Sequence, residues 1–336
     1  MKTVLIGCGN ISRCHLDAID ALDGVTLAAV ADIRPDRAEA AAEKHRCRAY
    51  GDWREMLRQE QPDVVHICTP HDLHVEMAVA ALESGANVLC EKPAAIDHPS
   101  LMRLQRAQTE SGKQLGICFQ NRYNVGVLEA LRLMREGKTG SLVSIRANVD
   151  WCRGADYYSD DWHGIKAREG GGVLVNQAVH TLDLLQMFAF SPAVSVQAHI
   201  ANDHLQGVID EEDTALLRAV FQNGVTGQLH ATTAFQSNAR VEIDLFFQHD
   251  TLRLSGPVLQ RLEDDGTATT LTGTDTAAGS KAYWGTGHAA LIADYYRCLR
   301  THVPFPIDAF EGGKAVELFL AAYRSAERGG EKVDVE

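Results

Sequence analysis

Gly7-Cys8-Gly9-Asn10-Ile11-Ser12 follows the short apolar run Thr3–Ile6 and opens a helical pattern that extends from Ile11 to Leu22. Two glycines at a strand-to-helix turn let the chain fold tightly and let a phosphate group approach the backbone. The helix N-terminus adds N–H groups and the positive end of a dipole. A second apolar run, Val25–Ala31, ends at Asp32, where an acidic residue would receive the 2′-hydroxyl of a ribose. Glycines serving turn geometry alone would need no such acid. The stretch therefore predicts a dinucleotide site formed by Gly7, Gly9, Asn10, Ile11 and Asp32, and a Rossmann sheet around it. The third position of the fingerprint is Ser12, which is small enough to pack there.

The pattern continues outward from this turn. Pro35–Lys44 is Ala- and Glu-rich and starts with proline, as helices do. Val64–Cys68, Val88–Cys90 and Leu115–Cys118 are apolar runs, with helical patterns over Leu73–Ser84 and Leu101–Ser111 between them and Gly85 placed as a C-cap. Apolar strands separated by helices predict a doubly wound parallel sheet. Beyond residue 140 strands follow one another: Leu142–Trp151, Val194–Ala201, Thr214–Phe221, Val225–Ala234, Val241–Phe247 and Thr251–Leu254. Helical patterns lie at Asn176–Phe188, His288–Arg300 and Gly313–Arg328, and residues 263–282 read as a loop or hairpin. The expected fold class is α/β plus α+β. A Rossmann domain covers residues 1–122, and an open, mostly antiparallel sheet domain for substrate binding and oligomerisation covers 123–336. The last helices are candidates to pack back on the Rossmann domain. A homodimer or homotetramer would cover the open sheet face.

Composition sets limits on partners. The chain has 336 residues, enough for two domains, with 32 Lys and Arg against 45 Asp and Glu. A formal charge of −13 argues against nucleic acid and anionic membranes. No apolar run approaches the roughly 20 residues that span a bilayer. Gly7, Gly9 and Asn10 interrupt residues 1–6 too early for a signal peptide, so that run reads as a strand. The eight cysteines form no C-x-x-C pair, which suits reduced thiols in the cytoplasm. His71, His74 and His163 do not make a metal set, and no metal is expected.

Further motifs point one way together. Glu91-Lys92-Pro93 directly follows the Val88–Cys90 run, Thr69-Pro70 precedes His74, and Gly170-Gly171-Gly172 precedes Asn176-x-x-x-His180-x-x-Asp183. With Gly7-Cys8-Gly9 and Asp32, the chain resembles the Gfo/Idh/MocA oxidoreductases, relatives of glucose–fructose oxidoreductase and inositol dehydrogenase, over essentially its whole length. The resemblance implies NAD(H)-dependent oxidation of a CH–OH group and a cis bond at Pro93. It also implies cofactor contacts from Ile33, Arg34, Thr69, Pro70, His74, Glu91, Lys92 and Gln120. Asp32 favours NAD by repelling a 2′-phosphate; Arg34 and Arg37 keep NADP open.

The chemistry assigns roles. Alcohol oxidation needs a base for the hydroxyl proton while hydride leaves. Lys92, at the C-terminal end of a parallel strand, stands where doubly wound sheets bind ligands. Burial and a nearby cationic ring both push a lysine's pKa toward neutrality. Asn176 and His180, four apart on an expected helix, would share a face. Inositol-dehydrogenase relatives usually have Asp at the first position. Asn cannot carry a proton, so acid–base work falls to Lys92 and His180, and the Asn176-Gln177 pair resembles the branch acting on sugar rings. Tyr157, Tyr158, Trp162 and His163, in the aromatic stretch 151–163, suit a sugar cleft with Arg122 at its border. Relatives often carry Arg at position 163. Asp183 reads as a helix anchor. The expected function is hydride transfer between nicotinamide and a ring hydroxyl of a sugar or glycoside, with C3 a candidate carbon. The alternatives are an inositol or cyclitol dehydrogenase and a non-catalytic NAD-binding regulator.

Overall fold

The computed structural model describes residues 1–273 and 287–336, which form two units. Unit 1 comprises Met1–Phe119 with His288–Gly313, and unit 2 comprises Gln120–Gly287 with Lys314–Glu336.

Unit 1 alternates β1 (Lys2–Ile6), α1 (Ser12–Asp20), β2 (Thr26–Ala31), α2 (Pro35–His45), β3 (Arg48–Tyr50), α3 (Trp53–Glu60), β4 (Val64–Ile67), α4 (His74–Glu83), β5 (Asn87–Cys90), α5 (His98–Ser111) and β6 (Leu115–Ile117). The sheet order is β3-β2-β1-β4-β5-β6 with every neighbouring pair parallel, the doubly wound arrangement whose strand order reverses beside β1. Its central strands are apolar because both faces are covered: Val4, Leu5, Val64, Val65, Val88 and Leu89 are fully buried. Helix starts follow local chemistry. Asp52 caps α3 by accepting from Arg54 N at 2.8 Å, and Asp97 caps α5 by accepting from Ser100 N at 2.7 Å. β3 and α3 were absent from the sequence expectation. The strand has only three residues, and none of them is buried, so it lacks an apolar signal.

Unit 2 contains α6 (Val125–Arg135), β7 (Leu142–Asp150), α7 (Lys166–Glu169), α8 (Val173–Asn176), α9 (Val179–Ala189), β8 (Ala193–Ala201), β9 (Thr214–Phe221), β10 (Thr226–Thr232), β11 (Glu242–Phe247), β12 (Thr251–Ser255), β13 (Val258–Leu262), β14 (Ala268–Thr272) and, near the C-terminus, β15 (Val333–Asp334). Helices α10 (Gly287–Thr301) and α11 (Ala309–Glu327) run across the unit limits. The nine-stranded sheet has the order β14-β13-β12-β11-β7-β10-β9-β8-β15, antiparallel except where β7 meets β10. Residues 263–273 form a turn and β14; the rest of the expected excursion, 274–282, lies outside the described residues. α8 packs against β9 and β10, and α9 against β7. The sheet alternates accordingly. Ile145, Ala147, Leu217 and Leu229 are buried, while Arg146, Gln228, Arg218 and Gln197 form an exposed row in register across four strands.

The sequence expectation of one helix over Asn176–Phe188 is corrected. α8 ends at Asn176 and α9 begins at Val179, so Asn176 and His180 belong to successive helices. Local periodicity cannot show this break, because Gln177 and Ala178 keep right-handed backbone angles.

Candidate active site

The glycine turn of unit 1 is fixed by backbone crowding. Gly7 has φ +91°, and a Cβ there would lie 2.6 Å from the Cys68 carbonyl oxygen, so no other residue fits. Gly9 is different: a Cβ would meet nothing within 4 Å, leaving open backbone where a pyrophosphate would approach. Ser12 is buried, and its hydroxyl donates to Gly9 O at 2.6 Å. Asp32 accepts from Cys8 N at 2.7 Å on one carboxylate oxygen and from Arg34 N at 2.8 Å on the other. The acid thus clamps the turn to the end of β2. Beside it Ile33 is 79% exposed, a large apolar side chain left where an adenine face would cover it. Asn10 is exposed and Ile11 half-buried at the same turn.

Two adjoining strand ends are stapled together. His74 is fully buried, with Nδ1 2.9 Å from Pro93 O and Nε2 3.0 Å from Thr69 O. Burial lowers its pKa, although both carbonyls pull the other way. The ring therefore ties the Thr69-Pro70 turn to the Lys92–Pro93 segment, whose peptide bond is cis. Lys92 is half-buried at the C-terminal end of β5, and its backbone N–H donates to Glu91 Oε2 at 3.3 Å. Glu91 itself points into unit 1. Its Oε1 lies 2.9 Å from His15 Nε2 and 3.6 Å from His288 Nε2. Burial would raise its carboxyl, but the hydrogen bonds and charges of His15 and His288 prevail and hold it well below the usual range. His15, Glu91 and Cys118 bring donor atoms within 4.8 Å of one another. Burial and the Glu91 charge push the Cys118 thiol well up, and a protonated thiol beside a paired carboxylate reads as a hydrogen-bonded cluster.

Unit 2 gathers most of the expected substrate residues. Gln120 Nε2 lies 3.4 Å from His180 Nε2. The Arg122 guanidinium forks onto Asp183 at 2.7 and 2.6 Å, so Asp183 anchors α9 and engages the face of Arg122 that a substrate anion would use. Asn176 donates through Nδ2 to Tyr157 OH at 3.2 Å and to Glu169 Oε1. The rings of Tyr157 and His163 lie 4.5 Å apart, and those of His163 and Trp162 3.7 Å apart. His163, where relatives often carry Arg, bonds Asp160 at 2.6 Å. Tyr158 meets the Tyr157 ring edge-on at 5.0 Å and packs with Leu205 and Ile209 in a small apolar cluster. Burial first, and then the Glu169 charge, raise Tyr157 to about 12. It therefore stays a hydrogen-bond donor across the neutral range.

The structure also explains the triple glycine. A Cβ on Gly171 would sit 2.0 Å from Tyr323 Oη, and one on Gly172 1.9 Å from Glu212 O. The Glu212 carboxylate, fully enclosed, accepts from Gly172 N, Leu174 N and Tyr323 OH. Sequence reasoning missed Glu169, Arg153 and Glu212. One signal for Glu169 was available: a carboxylate at the C-terminus of a helix opposes the dipole, so its presence next to Gly170 asks for another partner. Arg153 lies 5.0 Å from the ring centres of both Trp151 and Tyr157, a buried cation among aromatic rings.

A doubly wound sheet with a glycine turn, a strand-end acid and a strand-end lysine, joined to a sheet domain rich in hydroxyl-reading groups, defines a nicotinamide-dependent oxidoreductase. Comparison with known families agrees. The oxidoreductase family with an NAD-binding Rossmann fold matches residues 1–119, the GFO/IDH/MocA C-terminal domain matches residues 127–253, and the chain belongs to the Gfo/Idh/MocA family. It is an NAD-dependent dehydrogenase of a family that acts on sugars and polyols. D-apiose dehydrogenase of Paraburkholderia graminis is 27% identical over 98% of this chain and 88% of its own length. D-glucoside 3-dehydrogenase of Escherichia coli is 29% identical over 71% of this chain and 72% of its own. The WlbA dehydrogenase of Chromobacterium violaceum, solved with NADH and UDP-GlcNAcA, superposes with a TM-score of 0.87 at 28% identity, over 100% of this chain and 96% of that one. Among the described residues no helix is long and apolar enough to cross a membrane.

Proposed function

We propose that the chain oxidises a ring hydroxyl of a sugar or glycoside, or reduces the matching keto sugar, with C3 as the reacting carbon. The observation that carries this reading is the polar set around Asn176. An amide, a phenol that remains protonated and the neighbouring His180 offer a hydroxylated ring both acceptors and donors, beside the aromatic faces of Trp162 and His163. The names of the glucoside 3-dehydrogenase and of the UDP-GlcNAcA complex support the same substrate class.

Bound NAD accepts or supplies the hydride. In the oxidation direction Lys92 takes the hydroxyl proton as the ring carbon gives up hydride and becomes a ketone, and His180 serves as the second acid–base group. Asn176, unable to carry a proton, orients the ring. Lys92, Gln120 and the Thr69-Pro70 turn complete the contacts proposed around the cofactor. The exposed row on the unit 2 sheet is proposed as the surface of a homo-oligomer.

A panel of hexoses, glycosides, uronates, nucleotide sugars and inositols, assayed for NADH formation with NADP in parallel, tests the reading. Turnover of glycosides or nucleotide sugars supports it. Turnover confined to inositols replaces it with a cyclitol dehydrogenase.

A further inference from the structure

We infer that His15 is a positioning residue that ties the glycine-turn helix α1 to the strand end carrying Lys92, with the Glu91 carboxylate as the link. The inference rests on the proposed acid–base role of Lys92 for its effect on turnover, and on geometry alone for the link itself.

His15 lies on α1, the helix that the glycine turn opens, and is fully buried. Its Nε2 is 2.9 Å from Glu91 Oε1. The other carboxylate oxygen, Oε2, accepts from Lys92 N at 3.3 Å. Glu91 N donates to Ile67 O at 2.9 Å, so the end of β4 holds the backbone just before Lys92. Just after it, His74 Nδ1 lies 2.9 Å from Pro93 O. Lys92 therefore stands between two fastened neighbours. Glu91 is held by α1 and β4, and Pro93 by the first residue of α4.

The hydrogen between His15 and Glu91 can be placed. An ionised carboxylate only accepts, so His15 Nε2 donates. His15 Nδ1 is 2.8 Å from His66 Nδ1, and His66 Nε2 is 3.0 Å from Tyr296 Oη. With neutral rings, Tyr296 donates to His66, His66 to His15 and His15 to Glu91, which uses all four ring nitrogens. Donors aligned in one direction polarise one another and strengthen the terminal bond. His288 also faces the carboxylate, 3.6 Å from Oε1. So do the Cys68, Cys90 and Cys118 thiols, which burial and then the Glu91 charge keep protonated. Among these groups only His15 belongs to α1. A cofactor that settles the N-terminus of α1 would thus settle Glu91, and with it the backbone of Lys92.

Two substitutions separate the sides of the His15 ring. Gln sets its amide nitrogen near the place of Nε2, so His15→Gln keeps a donor for Glu91. Asn reaches only as far as Nδ1, so His15→Asn keeps the His66 side and loses Glu91. His15→Gln should turn over near the parent rate. His15→Asn should lower kcat by up to about 10², the cost of an ångström of misplacement, with substrate KM little changed. In a Lys92→Ala background the same substitution should lower kcat no further, because groups that act as a unit are not additive. A second arm needs no substrate: acetylation of Lys92 by acetic anhydride across pH, read by mass spectrometry. His15→Asn should move the midpoint of Lys92 labelling upward, since a carboxylate that has lost its partner favours the neighbouring ammonium. His15→Gln should leave the midpoint in place. A packing role alone would lower the Tm of both variants and leave the labelling unchanged. The inference is overturned if Lys92 labels alike in His15→Asn and the parent, or if His15→Asn still lowers kcat in the Lys92→Ala background. The labelling arm decides the link even if Lys92→Ala shows that another group takes the hydroxyl proton.

Discussion

His15 Nε2 meets Glu91 Oε1 at 2.9 Å, with both side chains buried in unit 1. The contact begins a chain. His15 Nδ1 lies 2.8 Å from His66 Nδ1, His66 Nε2 lies 3.0 Å from Tyr296 Oη, and Tyr296 Oη lies 2.8 Å from Thr3 Oγ1. Burial, then the neighbouring His15, keep His66 well below its ordinary pKa and therefore neutral. The chain links β1, α1, β4 and α10 behind the residue that precedes Lys92.

Because the folded pKa of Glu91 lies well below its ordinary value of 4.5, this carboxylate contributes stability that is fully present above that value and lost as pH falls through the folded pKa. Glu91→Gln should cost about 3–5 kcal/mol at neutral pH, the usual effect of breaking a buried pair. Urea denaturation should show the gap from the parent narrowing as pH drops below 4.5. An equal gap at acid and neutral pH would refute the ionised pair.

Glu212 has the opposite sign. Burial pushes it up to about 7 from 4.5, against the pull of Leu174 N, Tyr323 and Gly172 N. The folded state then holds a proton that the unfolded chain has released. Stability should be greatest below 4.5 and fall as pH rises toward 7. The span corresponds to about 3 kcal/mol at 1.36 kcal/mol per pKa unit. Glu212→Gln should remove this slope, so its Tm relative to the parent improves with rising pH. A constant difference would show that Glu212 does not titrate in that window.

The two glycines of the turn should separate in experiment. Gly7→Ala meets the Cys68 carbonyl and a left-handed backbone, and should lower stability by at least about 1–3 kcal/mol, the range for overpacking. Gly9→Ala meets nothing and should keep the parent Tm while weakening NAD binding in calorimetry. Loss of Tm in both, or normal NAD affinity in Gly9→Ala, would contradict the assignment of Gly9 to the pyrophosphate.

Cofactor choice should follow Asp32. Asp32→Ala should erode the preference for NAD over NADP, since a charge-assisted hydrogen bond is worth about 1.5–3 kcal/mol. Because Asp32 also holds Cys8 N and Arg34 N, the affinity for both cofactors should drop, with NAD losing more. Equal losses would place Asp32 in the turn alone. The readout is kcat/KM for each cofactor.

The features legible from sequence were those written in local pattern. Apolar runs ending at Ile6, Ala31, Cys68 and Cys90 announced a parallel sheet, and the glycine turn, Asp32 and the Glu91-Lys92-Pro93 segment lie at the ends of its strands. What escaped depended on distant partners. α6, at Val125–Arg135, lacks strong cap signals and sits against β12 and β13. The parallel contact of β7 with β10 within an otherwise antiparallel sheet follows from tertiary register. Tyr158 reads like Tyr157 in sequence, yet only Leu205 and Ile209, forty and more residues on, decide that it packs inward. Glu91 and His74 carried signals of a site but turn into unit 1, where His15, Thr69 and Pro93 meet them.

Turnover by Lys92→Ala, with NAD affinity measured on the same preparation, tests the central claim most directly. The glycine turn and Asp32, the proposed cofactor contacts, lie on other elements, so NAD should bind almost as tightly as in the parent. On the best substrate of the panel kcat should fall by about 10²–10⁴, the worth of a positioned acid–base group. Turnover near the parent value with a verified sugar substrate would contradict Lys92 as the group that takes the hydroxyl proton.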